Sequence, residues 1–240
     1  NQTTGNSSGW TNLTYFLDES VQMNRTYHYI VKAKDRYGNV VTGLDKSVTI
    51  DNTSFNYIED NFNSTYDFVN KGCGGIDWKG VAGFDIPSFK IKSENGKLEL
   101  NSAGTAYKYD RKEDGPYIYQ EVSGDFMAQI EIAGFSGYED KKAVGLNEGG
   151  LLIMPVEDSN YWIMHLSAFP YWSAGNLLTY LTKFGRPQYA NKKGWNFDRL
   201  LQVERCGNYF FFRTSIDGET WTDMPHSPLF VKDLNGKPIK

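Results

Sequence analysis

The feature that most constrains this chain is a recurrence of short apolar–polar runs, each closed by a turn-forming stretch. In "TYHYIVKAKD" (Thr26–Asp35), Tyr27, Tyr29, Val31 and Ala33 alternate with Thr26, His28, Ile30 and Lys32, and the turn "DRYGN" follows. Period-two alternation sends successive side chains to opposite faces of an extended strand. Further strands are expected at "KSVTI", "KLELNS", "YIYQEV", "FMAQIEIAGF", "GGLLIMPV", "YWIMHLSAFP", "NLLTYLTKF", "DRLLQVER", "NYFFFRTS" and "TWTDM". Between them stand "ENGK", "VSGD", "EDSN", "RCGN" and "IDGE", in which Gly accepts positive φ and Asn or Asp bonds its own backbone. Helical periodicity scarcely occurs. Many short strands punctuated this way predict an all-β protein, either a sandwich or a jelly roll.

Size and charge narrow the partners. With 240 residues the chain has room for one large β-domain, or for one such domain and a small module. A formal net charge of −4 and a pI near 5.5 offer no basic face to nucleic acid or anionic lipid. No apolar run reaches the length that a membrane-spanning helix needs. Six N-x-[ST] patterns, at Asn1, Asn6, Asn12, Asn24, Asn52 and Asn63, all precede residue 66. They are candidate glycosylation sites and point to a secreted or cell-surface protein with one solvent-facing end. Cys73 in "NKGCGG" and Cys206 in "ERCGNY" lie beside Gly rather than in apolar runs. A Cys73–Cys206 disulfide fits an oxidising compartment, and the Cα separation that decides it is not a property of the sequence.

Two resemblances organise the chain. Residues 1–54 end in "YHYIVKAKDRYGNVVTGLDKSVTI", a Tyr-rich strand, then V-K-A-K-D-x-Y-G-N, then a last strand. That order resembles the C-terminal part of a fibronectin type III or immunoglobulin-like module. About fifty residues make only half of such a sandwich, whose two sheets must bury each other. Over residues 55–240 the carrying segments are "IEDNFN", "GKLEL", "GPYIYQEVSGDFMAQIEI", "GGLLIMPVEDSNYWIMHL" and "WNFDRLLQVERCGNYFFFRTSIDGETWTDMP". These resemble the concanavalin A-like, laminin G-like jelly rolls, among them a bacterial family of unknown function related to regulation-of-enolase proteins. In such domains a further strand, often beginning V-G-L, usually follows the last segment, whereas here "NGKPIK" follows. The expectation is a fragment of a longer multidomain polypeptide. The glycine-rich "CGGIDWKGVAG" departs from the family pattern and reads as a long loop.

The stretch "RTSIDGETWTDMP" looks like the Asp-box hairpin of sialidases, S-x-D-x-G-x-T-W, shortened by one residue. Its physics is that of a turn: Asp217-Gly218 joins two strands, and Trp221 covers the hairpin. Sialidase chemistry needs an arginine cluster and a Tyr–Glu nucleophile pair, and the turn carries no reactive group. The same-face carboxylate runs E-x-D-x-x-E and E-x-D-x-E of concanavalin A-like glycosidases are absent from the sequence. His28, His165 and His226 lie outside any G-x-S-x-G context. The protein is therefore expected not to be an enzyme, glycoside hydrolase being the least favoured reading.

Aromatic side chains remain. In "NYWIMHLSAFPYW" a strand would place Trp162, Met164 and Leu166 in the core, with Tyr161 and His165 on the opposite sheet surface. Beyond it, Phe169, Pro170, Tyr171 and Trp172 form an apolar loop. Tyr171, Trp172 and Trp195, with Arg186, Lys183 and Asn176 as polar partners, are the candidate carbohydrate platform, since aromatic faces stack on the C–H faces of sugar rings. Laminin G-like domains often hold Ca²⁺, and the oxygen-rich turns "IEDNFN" and "PVEDSN" make it the one cofactor the resemblance brings in. The expected function is a non-catalytic, lectin-like carbohydrate-binding module of a secreted multidomain protein. The alternative is a structural or adhesive segment that contacts extracellular or cell-surface proteins.

Overall fold

The computed structural model describes residues 1–11, 16, 18, 20–22, 24–50, 58–71, 78–82, 90–101, 116–135, 146–157, 161–170, 176–183, 186–194, 198–234 and 236–240; for 146–148, 161, 168–170, 176–183 and 186–194 it describes the backbone path. The protein is all-β and built from antiparallel sheets. It divides into two compact units, Asn1–Glu59 and Asp60–Lys240. Among the described residues no helix is long and apolar enough to cross a membrane.

The described strands of the first unit form one long hairpin. Strands β1 (Arg25–Tyr29) and β4 (Lys46–Ile50) pair antiparallel, Arg25 opposite Ile50 and Tyr29 opposite Lys46. Strands β2 (Lys32–Lys34) and β3 (Val40–Thr42) continue the same ladder to its tip. At that tip Asp35 accepts bonds from the Tyr37 and Asn39 backbone N–H groups (2.8 and 2.9 Å) and from the Asn39 side chain. Those bonds favour its charged form and lower its pKa. Tyr27 is buried, its hydroxyl accepting from the Gln22 N–H at 2.6 Å. Trp10, Val31, Tyr37, Val40, Val41, Leu44 and Val48 are exposed. A two-stranded ladder has no second layer in which to hide its apolar side chains.

The second unit begins with β5 (Tyr66–Asp67) and the short helix α1 (Phe68–Lys71), followed by β6 (Gly80–Ala82), β7 (Lys90–Glu94), β8 (Lys97–Asn101) and β9 (Tyr117–Tyr119). These form a three-stranded sheet, β5-β7-β8, and a two-stranded one, β6-β9. Two larger sheets follow. Strand β10 (Phe126–Glu131) pairs β15 (Leu200–Cys206), which pairs β16 (Tyr209–Ser215); β17 (Thr222–Asp223) and β18 (Leu229–Phe230) both pair β16. The other is the meander β11 (Leu146–Ile153), β12 (Tyr161–Pro170), β13 (Asn176–Lys183) and β14 (Arg186–Gly194).

The core lies between these two sheets. Ile153 and Ile163 of the meander pack with Leu201, Val203, Phe210 and Phe212 of the five-stranded sheet, and with Met224, Leu229, Val231, Leu234 and Ile239 from the C-terminal segment. A second cluster, Met154, Trp162, Met164 and Leu166 with Tyr117 and Leu152, covers the opposite face of β11 and β12. This corrects the expectation for β12. Its Trp-Met-Leu face is buried, as expected, but the Ile163–His165 face is buried too, in the main core. His165 is fully buried, its ring 5.4 Å from that of Phe212, with Nε2–H donating to the Arg213 carbonyl at 3.1 Å. On β11, a Cβ at Gly150, which pairs with Leu166, would overlap the His165 carbonyl oxygen, so that position takes only hydrogen.

The C-terminal segment is a structural strand. Ile239 exchanges backbone bonds with Val122 (2.8 and 2.9 Å), and Lys240 exchanges two with Met154, each 2.8 Å. Buried Arg205 secures the approach, donating to the carbonyls of Gly207, Leu234 and Lys237 at 3.0, 2.6 and 2.8 Å. Three carbonyl oxygens replace the water this guanidinium loses. Its burial still pulls its pKa down.

The inter-sheet core sets the first prediction. Phe212→Ala, at a fully buried ring, is expected to cost ~3–5 kcal/mol in urea unfolding. Met127→Ala, on a side chain 63% exposed, is expected to stay within about 0.5 kcal/mol of the parent. Equal effects at both positions would mean that the two sheets do not form the core.

Candidate functional site

Strand alternation assigns every second residue of the five-stranded sheet to its outer face. With Phe210, Phe212, Leu201 and Val203 inside, Gln202 and Glu204 of β15 and Phe211 and Arg213 of β16 face out. The register sets Gln202 opposite Arg213, Glu204 opposite Phe211, and Asp223 of β17 opposite Arg213. On β10, Met127 stands opposite Glu204 and Gln129 opposite Gln202.

Arg213 is the hub of this face. Its Nη1 donates to Gln202 Oε1 at 3.1 Å and to Glu204 Oε2 at 2.8 Å, and its Nε donates to Asp223 Oδ1 at 3.1 Å. The guanidinium carbon lies 5.5 Å from the Phe211 ring centroid, within cation–π range. Only 14% of the Arg213 side chain is exposed, against 31% of Glu204 and 58% of Asp223. Nη2 is buried and has no hydrogen-bond partner among the described residues. At the edge of the same face Tyr209 and Phe230 pack at 5.1 Å, and Phe230 is 56% exposed. A polar quartet thus adjoins an apolar strip of Met127, Tyr209 and Phe230, while Gln202 and Phe211 of the same face are themselves buried.

Of the six residues expected to form a sugar platform, the structure describes the backbone of three. Tyr171, Trp172 and Trp195 lie outside the described residues. Lys183 and Arg186 face each other across one end of the β13–β14 ladder, while Asn176 pairs with Gly194 at the other end. Seven residues of strand separate Asn176 from Lys183, about 23 Å. The backbone therefore brings Lys183 and Arg186 together and leaves Asn176 remote from both.

The Asp-box-like turn is held by its own hydrogen bonds. Asp217 Oδ1 accepts from the N–H groups of Glu219 and Thr220 at 2.9 and 2.8 Å and from the Ser215 hydroxyl at 3.0 Å, which lowers its pKa. The Gly218 N–H bonds Ser215 Oγ at 2.9 Å, and Trp221 Nε1–H bonds the Gly218 carbonyl at 3.0 Å. Gly218 has φ +80°, a region costly for residues with a Cβ. The side chains of Ser215, Asp217 and Trp221 are all engaged in making the turn.

The structure describes some of the candidate modification and metal positions. Asn24 and Asn63 are exposed; Asn12 and Asn52 lie outside the described residues. The amide nitrogens of Asn1 and Asn6, the atoms a glycan would occupy, donate to the Asp18 carboxylate at 2.5 and 2.7 Å. Tyr29 and the Ser20 N–H also donate to it, both at 3.0 Å. Cys206 is exposed at the end of β15, its thiol pKa raised by local burial and by Asp125 and Glu204; Cys73 lies outside the described residues. In "IEDNFN", Asp60 accepts from Phe62 N–H and Trp78 Nε1–H, each at 2.8 Å, so N–H donors occupy its oxygens. The latter half of "PVEDSN" lies outside the described residues. Among the described residues no group of three His, Cys, Asp or Glu side chains is placed to hold a metal ion.

No protein-family model matches the chain, and no curated protein matches it. A crystal structure of a functionally unknown protein from Saccharomyces cerevisiae is similar at a TM-score of 0.46 and 16% sequence identity, over 62% of this chain and 79% of that one.

The Asp18 cluster yields a pH prediction. Its donors, Ser20 and Asn1 foremost, hold the Asp18 carboxyl well below the usual carboxylate range. A depressed folded-state pKa contributes stability that is complete above the unfolded value near 4 and is lost only as pH falls toward the folded value. The Asp18 carboxyl ¹³C resonance is expected to stay at its ionised shift at pH 3, where ordinary carboxylates have largely protonated. A midpoint near 4 would mean that the cluster does not persist in solution.

Proposed function

We propose that the chain is a non-catalytic, lectin-like carbohydrate-binding module of a secreted or cell-surface protein. One observation carries the reading: on the outer face of the five-stranded sheet, the accessible Glu204 and Asp223, held by Arg213, adjoin Met127, Tyr209 and Phe230, with Gln202 and Phe211 buried among them. Sugar recognition needs this pairing, an apolar surface for ring C–H groups beside oriented groups that bond the hydroxyls. The resemblance of residues 55–240 to concanavalin A-like jelly rolls points the same way, as analogy of fold alone.

The same geometry argues against hydrolysis. Paired glycosidase carboxylates flank the scissile bond with the substrate between them. Here the Arg213 guanidinium fills the space between Glu204 and Asp223, bonded to both. The described histidines suit a Ser-His-Asp arrangement no better. His165 is buried, His226 is exposed in the turn before β18, and His28 is exposed with Nδ1 3.3 Å from Asp45.

A second reading has its own observation. The exposed Val31, Tyr37, Val40, Val41 and Leu44 of the first unit suit an adhesive segment whose ladder is covered by another extracellular protein.

Screening the protein on a glycan array separates the two. Reproducible, sugar-competable binding without cleavage is expected. Arg213→Met should lose it by about tenfold or more while retaining near-UV circular dichroism, because a charge-assisted network is removed. Loss confined to Trp172→Ala would move the site to the loop after β12. Silence across the array, with self-association that falls in a Val41→Ser/Leu44→Ser variant, would replace the lectin reading with the adhesive one.

A further inference from the structure

Resting on that carbohydrate reading, we propose that the outer-face quartet selects neutral sugars by accepting their hydroxyl hydrogens and discriminates against acidic sugars. The inference comes from which partner of the ion-pair network faces solvent. An arginine displayed at a surface is a ready fork for the carboxylate of a uronic or sialic acid. Arg213 is not displayed. Its Nε and Nη1 are committed to Asp223, Gln202 and Glu204, its Nη2 is buried, and its guanidinium lies against Phe211. The more exposed groups are the two carboxylates.

Each carboxylate uses one oxygen on Arg213, Oε2 of Glu204 and Oδ1 of Asp223. The other oxygen of each makes no hydrogen bond among the described residues, and a carboxylate can accept several. Glu204 and Asp223 are thus oriented by charge-assisted bonds from opposite sides of one guanidinium, each with acceptor capacity left over. A sugar hydroxyl supplies the matching O–H donor. The ring's apolar face would lie toward the accessible Met127, Tyr209 and Phe230 on the strands beside them.

Charge gives the discrimination. One guanidinium and two carboxylates leave the quartet with a formal charge of −1. An acidic sugar would add a further negative charge, and it would find the only cation of the quartet already bonded and recessed. A neutral ring meets neither penalty. Arg213 in this arrangement is a positioning residue, and Glu204 and Asp223 are the groups that touch ligand.

The experiment is an array carrying matched pairs of neutral glycans and their uronic- or sialic-acid-terminated counterparts. It is probed with the parent protein, Glu204→Gln and Asp223→Asn, followed by calorimetric titration of the tightest glycan. Both changes are isosteric and lie at partly exposed positions, and near-UV circular dichroism verifies the fold. Neutral members are expected to bind, to weaken about tenfold or more in each variant, and to lose part of their advantage over acidic members in Glu204→Gln. Preference of the parent for acidic glycans, or for cationic amino sugars, overturns the inference and leaves the carbohydrate reading standing. Neutral binding unchanged in both variants does the same and places the site elsewhere. Absence of binding to every glycan overturns the carbohydrate reading and the inference together.

Discussion

The second unit depends on the burial of both faces of β12. From Trp162 to Ser167 every side chain is buried, including His165 and Ser167. Odd-numbered residues meet the five-stranded sheet, and even-numbered ones meet a cluster that includes Tyr117. A strand buried on both sides fixes its register strongly, because a one-residue slip would exchange two packed faces at once. The tight pairing of Gly150 against His165 and Leu166 follows from this, as does the need for the His165 ring to find an acceptor indoors.

That constraint also decides where ligand chemistry can sit. The meander is covered on both faces along β12, so the stretch from Trp162 to Ser167 offers no open surface. The five-stranded sheet packs its inner face against the core, which leaves Glu204 and Asp223 accessible on the other side, around the largely buried Gln202 and Arg213. The inner residues Leu201, Val203, Phe210 and Phe212 hold those strands rigid. Arg205 does the same for the C-terminal segment, whose Ile239 joins the core and links Val122 to Pro155. A polar cluster on such a platform keeps its geometry without a ligand, which is the condition for selective recognition.

The first unit is stabilised by other means. With Tyr27 its one large, fully buried side chain among the described residues, the ladder is maintained by backbone pairing, the Asp35 turn and the Asp18 cluster. Asp18 collects Asn1, Asn6, Ser20 and Tyr29 around one charge. Two of the candidate acceptor asparagines therefore have a structural use for the amide that a glycan would occupy.

Much of the strand pattern was legible because alternation and turn chemistry are local. The runs from "TYHY" to "TWTDM" form strands, and Asp217-Gly218 makes its turn with bonds reaching no further than a few residues. Strand β14, "RPQYANKKG", and β7, "KIKSE", were not legible: neither alternates strongly, and each is a strand through pairing with its neighbour. The burial of His165 was hidden too, since period two says which residues share a face but not how many faces are covered. The Arg213 quartet was masked by "YFFF", four aromatics in a row that erase the inside–outside signal, and its members come from three strands. The sequence by itself determined the all-β class, the turns and which residues alternate, all matters of φ, ψ and side-chain period. Tertiary structure alone decided which face is core and which carboxylates meet one guanidinium, because cross-strand register is set by packing between residues far apart in the chain.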